Sequence, residues 1–268
     1  MPIKIALAVA PENALDSAFV VFRDKLEKSI EKSARLGYDG VELALLSRDQ
    51  VEMQSLKQSL KDTGIEIPMI STGQIFADTG VSFTDPDSAK REKAVQEFLG
   101  LMEVAAELGS MINIGRLRGC LADGVPSEEY FRESMGTVLS RAEELEVTVV
   151  LETVNRYEIN FLNSCDQCGA MIDRIGHPRL KMMPDIFHMN IEDPSIEGSF
   201  WRHADKIGYV HFADSNRWAP GRGHLDFTSI INALKGTGYD GWVSVEILPF
   251  PEPDQAAYES IATLRKFL

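Results

Sequence analysis

Cysteine is scarce in this chain of 268 residues, which has three in all. Cys165 and Cys168 share a C-x-x-C spacing, but no second pair exists to complete a thiolate zinc site. Nor does the motif sit at a first strand–helix turn, where a thioredoxin-like redox pair would lie. Two thiols one turn apart, on a helix starting near Ser164, is the plainer expectation. Long apolar runs are missing, and nothing approaches the roughly 20 residues needed to span a bilayer. Basic residues are outnumbered: 27 Lys and Arg against 41 Asp and Glu give a formal net charge of -14. A surface this acidic repels phosphate backbones, which excludes nucleic acid as a partner. It leaves room for a small anionic substrate, because local arginines can reverse the field inside a pocket. The first residues, "MPIKIALAVAPENALDS", lack the basic start and small-residue cleavage site of a secretory signal. They read as a first strand, and a cytoplasmic protein is expected. No Gly-rich phosphate fingerprint follows that strand, which counts against an open dinucleotide-binding sheet.

What is present is ordinary globular composition, 44% hydrophobic and 25% charged, with a regular rhythm. Short apolar, β-branched segments recur at 3–9, 40–45, 66–72, 111–115, 147–152, 180–185, 208–213 and 242–247. Amphipathic stretches separate them, among them 22–37, 88–109 and 127–146, with Gly37 as one stop signal. The repeat is about 33 residues, the size of one βα unit. Alternating βα units demand a parallel sheet, and eight of them suggest closure into a (β/α)₈ barrel. The motif "GYDG" occurs at 37–40 and 238–241, each time between a helix and a strand, as a shared turn with glycine at the helix end. No linker or charge block interrupts the chain, so residues 1–268 are expected to form a single barrel domain.

In such barrels the chemistry gathers at the C-terminal ends of the strands. The fifth segment ends at Glu152, the sixth at Asp185, the seventh carries His211 and the eighth Glu246. Four consecutive strands thus bring one ligand-type side chain each to the same rim. Three carboxylates and an imidazole would repel strongly if left alone, and a divalent cation resolves that conflict. Oxygen donors with a single nitrogen suit Mn²⁺, Mg²⁺ or Co²⁺ better than a thiolate-seeking metal. Pro184 cannot donate to a central ladder and so places Asp185 at the strand's end.

More polar groups crowd the same rim: Asn155, Arg156 and Glu158 after the fifth strand, His188 after the sixth, Arg217 after the seventh, Arg116 and Arg118 after the fourth, and Gln74 after the third. Arg118 is the candidate for binding a terminal carboxylate or phosphate of a substrate. Surface ion pairs are the expected role of Arg116 and Arg222, and a structural one that of His177 and His203. His224 is expected to pack within its loop, and Asp226 to cap the next helix.

"LETVNRYE", "PDIFHMNIED", "VHFADSNRWAPGRGHLDF" and "GYDGWVSVEIL" resemble the xylose-isomerase-like sugar epimerases, in particular the D-tagatose and D-psicose 3-epimerase branch. "STGQIFADTGVSFTDP" and "ADSNRWAPGRGHLDF" look nearer to the 5-keto-L-gluconate epimerase group. The resemblance spans all eight units and is most specific from 150 to 250. It implies a metal-dependent ketose or keto-uronate 3-epimerase holding one divalent ion, usually Mn²⁺. Glu152, Asp185, His211 and Glu246 match the family's metal ligands, and Glu152 and Glu246 its paired acid and base. Glu158, His188 and Arg217 match its substrate contacts. It further implies a small-molecule ketose or keto-sugar acid as substrate and a homo-oligomer, dimer or tetramer. An aldose–ketose isomerase and a non-catalytic sugar-binding barrel are the alternatives. Apurinic-site endonucleases share the expected fold but build their zinc sites from many histidines, and this acidic chain has five in total.

Overall fold

The computed structural model describes residues 2–16 and 18–268. Eight parallel strands form a nearly closed barrel with helices between them: β1 (Lys4–Ala10), β2 (Gly40–Ala44), β3 (Glu66–Ser71), β4 (Met111–Ile114), β5 (Val149–Glu152), β6 (Leu180–Met183), β7 (Val210–Phe212) and β8 (Trp242–Val245). The hydrogen-bonded order is β6-β5-β4-β3-β2-β1-β8-β7. The remaining seam, between β6 and β7, is bridged at Met182–Ile207 and Asp185–His211. His211 N donates to the Pro184 carbonyl across it at 2.9 Å. Pro184 has no N–H to return, so the ladder stops there and the two chains are left side by side at the rim.

The helices follow the amphipathic pattern. Ser88–Leu108 and Ser127–Glu144 match the expected stretches to within two residues. Cys165–Ile175 starts behind Ser164, whose side chain forms a capping box with Gln167. The first helix is shorter than the sequence pattern suggests, Leu26–Leu36 rather than from 22. Phe22 and Arg23 instead pair beside the end of β1 as a two-residue strand, because Phe22 is buried there against the barrel wall.

Strand periodicity accounts for both layers of the core. One set of strand residues, including Ile5, Leu7, Val41, Leu43, Ile112 and Leu151, joins the large cluster shared with the helices. The alternate set points into the barrel. There Met69, Val150, Met183 and Tyr209 form an apolar plug, with Met111 and Trp242 packed against it. Two residues further along the same strands stand Ser71, Glu152, Asp185, His211, Asn113 and Ser244. The period of two therefore sends these side chains to the same interior, one layer above the plug, where an apolar floor gives way to polar groups.

Candidate metal and substrate site

Glu152, Asp185, His211 and Glu246 each offer one ligand atom, and these atoms lie within 4.8 Å of one another. His211 Nδ1 is 3.3 Å from Glu152 Oε1, 3.4 Å from Asp185 Oδ2 and 3.3 Å from Glu246 Oε2. Two of the carboxylates are aimed by a bond to their other oxygen. Asp185 caps the helix Ile186–Glu192: its Oδ1 accepts from Phe187 N at 2.9 Å and His188 N at 3.3 Å, which leaves Oδ2 for the cluster. Asn113 Nδ2 donates to Glu152 Oε2 at 3.1 Å, leaving Oε1 toward the imidazole. The Asn113 amide is itself fixed, because its Oδ1 accepts from Thr72 N at 2.9 Å. Gly115 closes in behind, where a Cβ would stand 2.5 Å from Glu152 Oε2.

Two members of this network escaped the reading of the sequence. Glu42, on β2, is fully buried, and His211 Nε2 lies 3.0 and 3.1 Å from its two oxygens. Asn113 is the other. The signal for both was there: a charged or amide side chain within an apolar strand, at a position of interior parity.

The donor set fits a hard divalent cation. With Nε2 engaged by Glu42, His211 Nδ1 is buried and has no hydrogen-bond partner, although three carboxylates surround it. Arg217 Nη1 donates to Asp185 Oδ2 at 2.6 Å and Arg217 also pairs with Glu246, so a single guanidinium faces the carboxylates. Burial raises the Glu152 carboxyl to about 7, with Glu246 and Asp185 adding to the rise and His211 opposing it. For Glu246 burial also acts upward, but His211 and Arg217 outweigh it and the carboxyl is lowered. Burial would strip the proton from His211, yet Glu42, Glu246, Asp185 and Glu152 hold its affinity well above the ordinary imidazole range. The same excess of negative charge would draw a divalent ion.

Above the cluster opens a cleft, lined by the polar side chains of Glu152, Glu158, His188, Arg217, Glu246 and Arg116 and by the apolar ones of Phe19, Val20 and Val154. Arg217 is held in the left-handed region at φ 62°, a costly conformation for a side-chain-bearing residue, and its guanidinium lies 5.0 Å from each of the Phe19 and Phe187 rings. Its loop turns around buried Asp214, whose carboxylate accepts from the backbone of Ser215, Gly221 and Leu225. His188 has a defined tautomer. The Asn155 Oδ1 accepts from Tyr157 N, so the amide nitrogen faces His188 Nδ1 at 2.7 Å and the ring proton sits on Nε2. Burial lowers His188 to about 4, so the ring is a neutral donor at ordinary pH.

Two other sequence expectations, for Arg118 and Arg116, need correction. Arg118 does not reach the cleft: it is fully buried and donates to the carbonyls of Phe161, Leu162 and Glu152. Three of its five N–H groups are taken by backbone behind β5 and the side chain is fully buried, so it faces no substrate end group. Arg116, expected in a surface ion pair, lines the cleft instead, and its ionic partner Glu158 is 3.9 Å away. Gln74 lines the cleft too, but both ends of its amide bind backbone, Leu15 N and Ala44 O. Arg156 and Arg222 pair with Glu192 and Glu259 at the surface. His203 is bound by Asp166 at 2.7 Å, and His177 lies 3.6 Å from Glu143. His224 is exposed, and only its backbone N–H ties the loop, to Ser215 Oγ. Cys165 and Cys168 are buried and unpaired, and burial pushes the Cys168 thiol to about 12, which leaves it unreactive. Among the described residues no helix is long and apolar enough to cross a membrane.

A family model described as a xylose isomerase-like TIM barrel matches residues 30–267. The chain belongs to the xylose isomerase-like TIM barrel family. A ketose 3-epimerase of Arthrobacter globiformis is 33% identical over 227 residues, covering 81% of this chain and 76% of its own. A 3-dehydro-D-guloside 4-epimerase of Escherichia coli is 24% identical over 258 residues, 91% of this chain and 95% of that one. The crystal structure of a D-allulose 3-epimerase from Methylomonas sp. superposes with a TM-score of 0.84 at 23% identity, over 100% of this chain and 98% of that one, and shares the fold.

Proposed function

We propose that this family member is a divalent-metal-dependent keto-sugar epimerase, inverting a carbon next to a carbonyl by removing a proton from one face and returning one to the other. The observation that carries this reading is the meeting of Glu152 and Glu246 at one imidazole nitrogen, from β5 and from the end of β8, with Asp185 beside them. One base cannot easily serve both faces of a carbon, whereas two carboxylates from different strands can. Glu152, Asp185, His211 and Glu246 would hold the cation. When bound, the ion would supply Lewis-acid stabilisation of the negative charge that proton removal places on the substrate oxygens. One of Glu152 and Glu246 takes the proton from C3 and the other delivers one to the opposite face. The His188 Nε2–H and the Arg217 guanidinium donate to the oxygen on which charge develops, and Glu158 accepts from a neighbouring hydroxyl. The names of the relatives, ketose 3-epimerases and a 4-epimerase of a dehydro-glycoside, support a reaction beside a keto group.

The substrate classes are D-tagatose or D-psicose-type ketoses and 5-keto-L-gluconate or D-tagaturonate-type acids, with Mn²⁺ as the first ion to supply and Mg²⁺ or Co²⁺ after it. A carboxylate-bearing substrate would meet Arg116 at the rim, in the role first assigned to Arg118. The test is a substrate panel run on chelator-treated protein resupplied with each ion. An epimeric ketose as product is expected. An aldose product would establish the isomerase alternative, and a protein that binds sugar without turnover under every ion would establish the non-catalytic one.

A further inference from the structure

Glu42 is a buried carboxylate that no step of the proposed reaction uses. It stands on β2, across the barrel from the β6–β7 seam, with no exposed surface. Its partner is the imidazole of His211: both carboxylate oxygens lie within 3.1 Å of Nε2. A carboxylate can only accept from that nitrogen, so the proton sits on Nε2. In the neutral ring that a bound ion requires, the lone pair is thereby left on Nδ1, the nitrogen that has no hydrogen-bond partner and faces Glu152, Asp185 and Glu246. The opposite tautomer would set an imidazole lone pair against Glu42 and a proton in the middle of the cluster.

We infer that Glu42 is a positioning residue for the cation site: it fixes His211 as the Nε2–H tautomer, sets the ring's orientation, and makes Nδ1 the nitrogen that binds the metal. The packing around it supports this. Ser244 lies opposite His211 in the β7–β8 register, and its buried hydroxyl makes no hydrogen bond. The one hydrogen-bonded hold on the ring is therefore Glu42, beside an edge-on contact with the Tyr209 ring at 6.0 Å, while the backbone is tied by His211 N to Pro184 O at the seam. Replacing Glu42 would free the ring to turn and the tautomer to exchange.

This inference rests on the metal-dependent reading but can fail separately from it, because its readout is binding of the ion alone. Mn²⁺ titration of the full chain, wild type against Glu42→Ala and Glu42→Gln, is the first arm. Loss of such an outer partner typically weakens metal binding about 10–100-fold, and that is expected for Glu42→Ala. Glu42→Gln retains an acceptor for Nε2–H, so a smaller loss, at least about threefold, is expected, and this variant decides the matter if the alanine variant does not fold. The second arm is nitrogen NMR of [¹⁵N]histidine protein loaded with Mg²⁺, with the His211 signal assigned by its absence from His211→Ala. The wild type should show a protonated Nε2 and a bare Nδ1. Folded variants that bind Mn²⁺ within about twofold of wild type, or a wild-type His211 protonated on Nδ1, would overturn the assignment of Glu42 alone. A residue serving only packing would lower the melting temperature and leave both readouts unmoved. A wild type that binds neither ion would overturn this inference and the metal-dependent reading together.

Discussion

Arg118 and its carbonyl partners give a sharp test of how the rim is built. Its guanidinium donates to Phe161 O at 2.9 Å, to Leu162 O at 3.2 Å and to the carbonyl of Glu152, with no part of the side chain exposed. Leu162 sits in the left-handed region at φ 57°, so Arg118 pins a strained turn to the end of β5, directly behind a candidate ligand. Arg118→Ala would leave three buried carbonyls without their charged donor. Bonds to charged groups contribute about 1.5–3 kcal/mol each. Part of that sum is offset because the burial cost of the guanidinium disappears and water can enter the space, so a net loss of about 3–5 kcal/mol follows. At about 2–4 °C per kcal/mol for a chain of this size, melting should fall by roughly 10 °C. Turnover should fall by a similar factor on neutral ketoses and on keto-uronates, because Glu152 loses its support whatever the substrate carries at its far end. The assay is thermal denaturation by circular dichroism beside kcat/KM on one substrate of each class. A variant that melts within about 2 °C of wild type and loses only keto-uronate turnover would refute this account of Arg118.

Two further outcomes follow from the same geometry. Gly115→Ala would place a methyl group 2.5 Å from Glu152 Oε2, so the carboxylate must shift. Displacements of about 1 Å at reacting groups cost on the order of 10²-fold, and kcat/KM should fall by that order with little change in melting; an unchanged kcat/KM would contradict the placement of Glu152. In the cation-free protein Glu152 is raised to about 7 and His211 is held well above its ordinary range, so both carry protons at pH 6. Binding an ion there must displace at least one proton, and affinity should rise with pH through about 7; titration calorimetry in buffers of different ionisation enthalpy reads this directly, and heats independent of buffer would contradict it. The sign for stability is the reverse. A carboxyl raised from 4.5 to about 7 stabilises the cation-free protein while protonated, and that contribution is lost as pH climbs through this window.

Much of this was legible in the sequence, for identifiable reasons. The strands could be located because each is a short apolar run bounded by helical periodicity, and all eight expected segments overlap observed strands. The four clustered side chains could be found because barrel topology sends every strand's C-terminal end to one rim, so spacing alone implies convergence. Asp226 was legible as a cap because its offset from the helix is local. What spacing cannot resolve is which way a side chain turns once it arrives. Arg116 and Arg118 are two residues apart on one short turn, yet one opens to the cleft and the other is drawn inward by carbonyls more than forty residues away in the chain. Glu42 was missed for a related reason. Its partner lies 169 residues on, and interior parity within an apolar strand does not say which group the side chain meets.

The central claim is that two carboxylates move a proton on and off one carbon from opposite faces. Epimerisation carried out in D₂O with the ion supplied, stopped at low conversion and read by proton NMR and mass spectrometry, tests it most directly. Product carrying one solvent deuterium at the inverted carbon, and none elsewhere, is the predicted result. Product that retains the substrate's own hydrogen at that carbon throughout would contradict the claim.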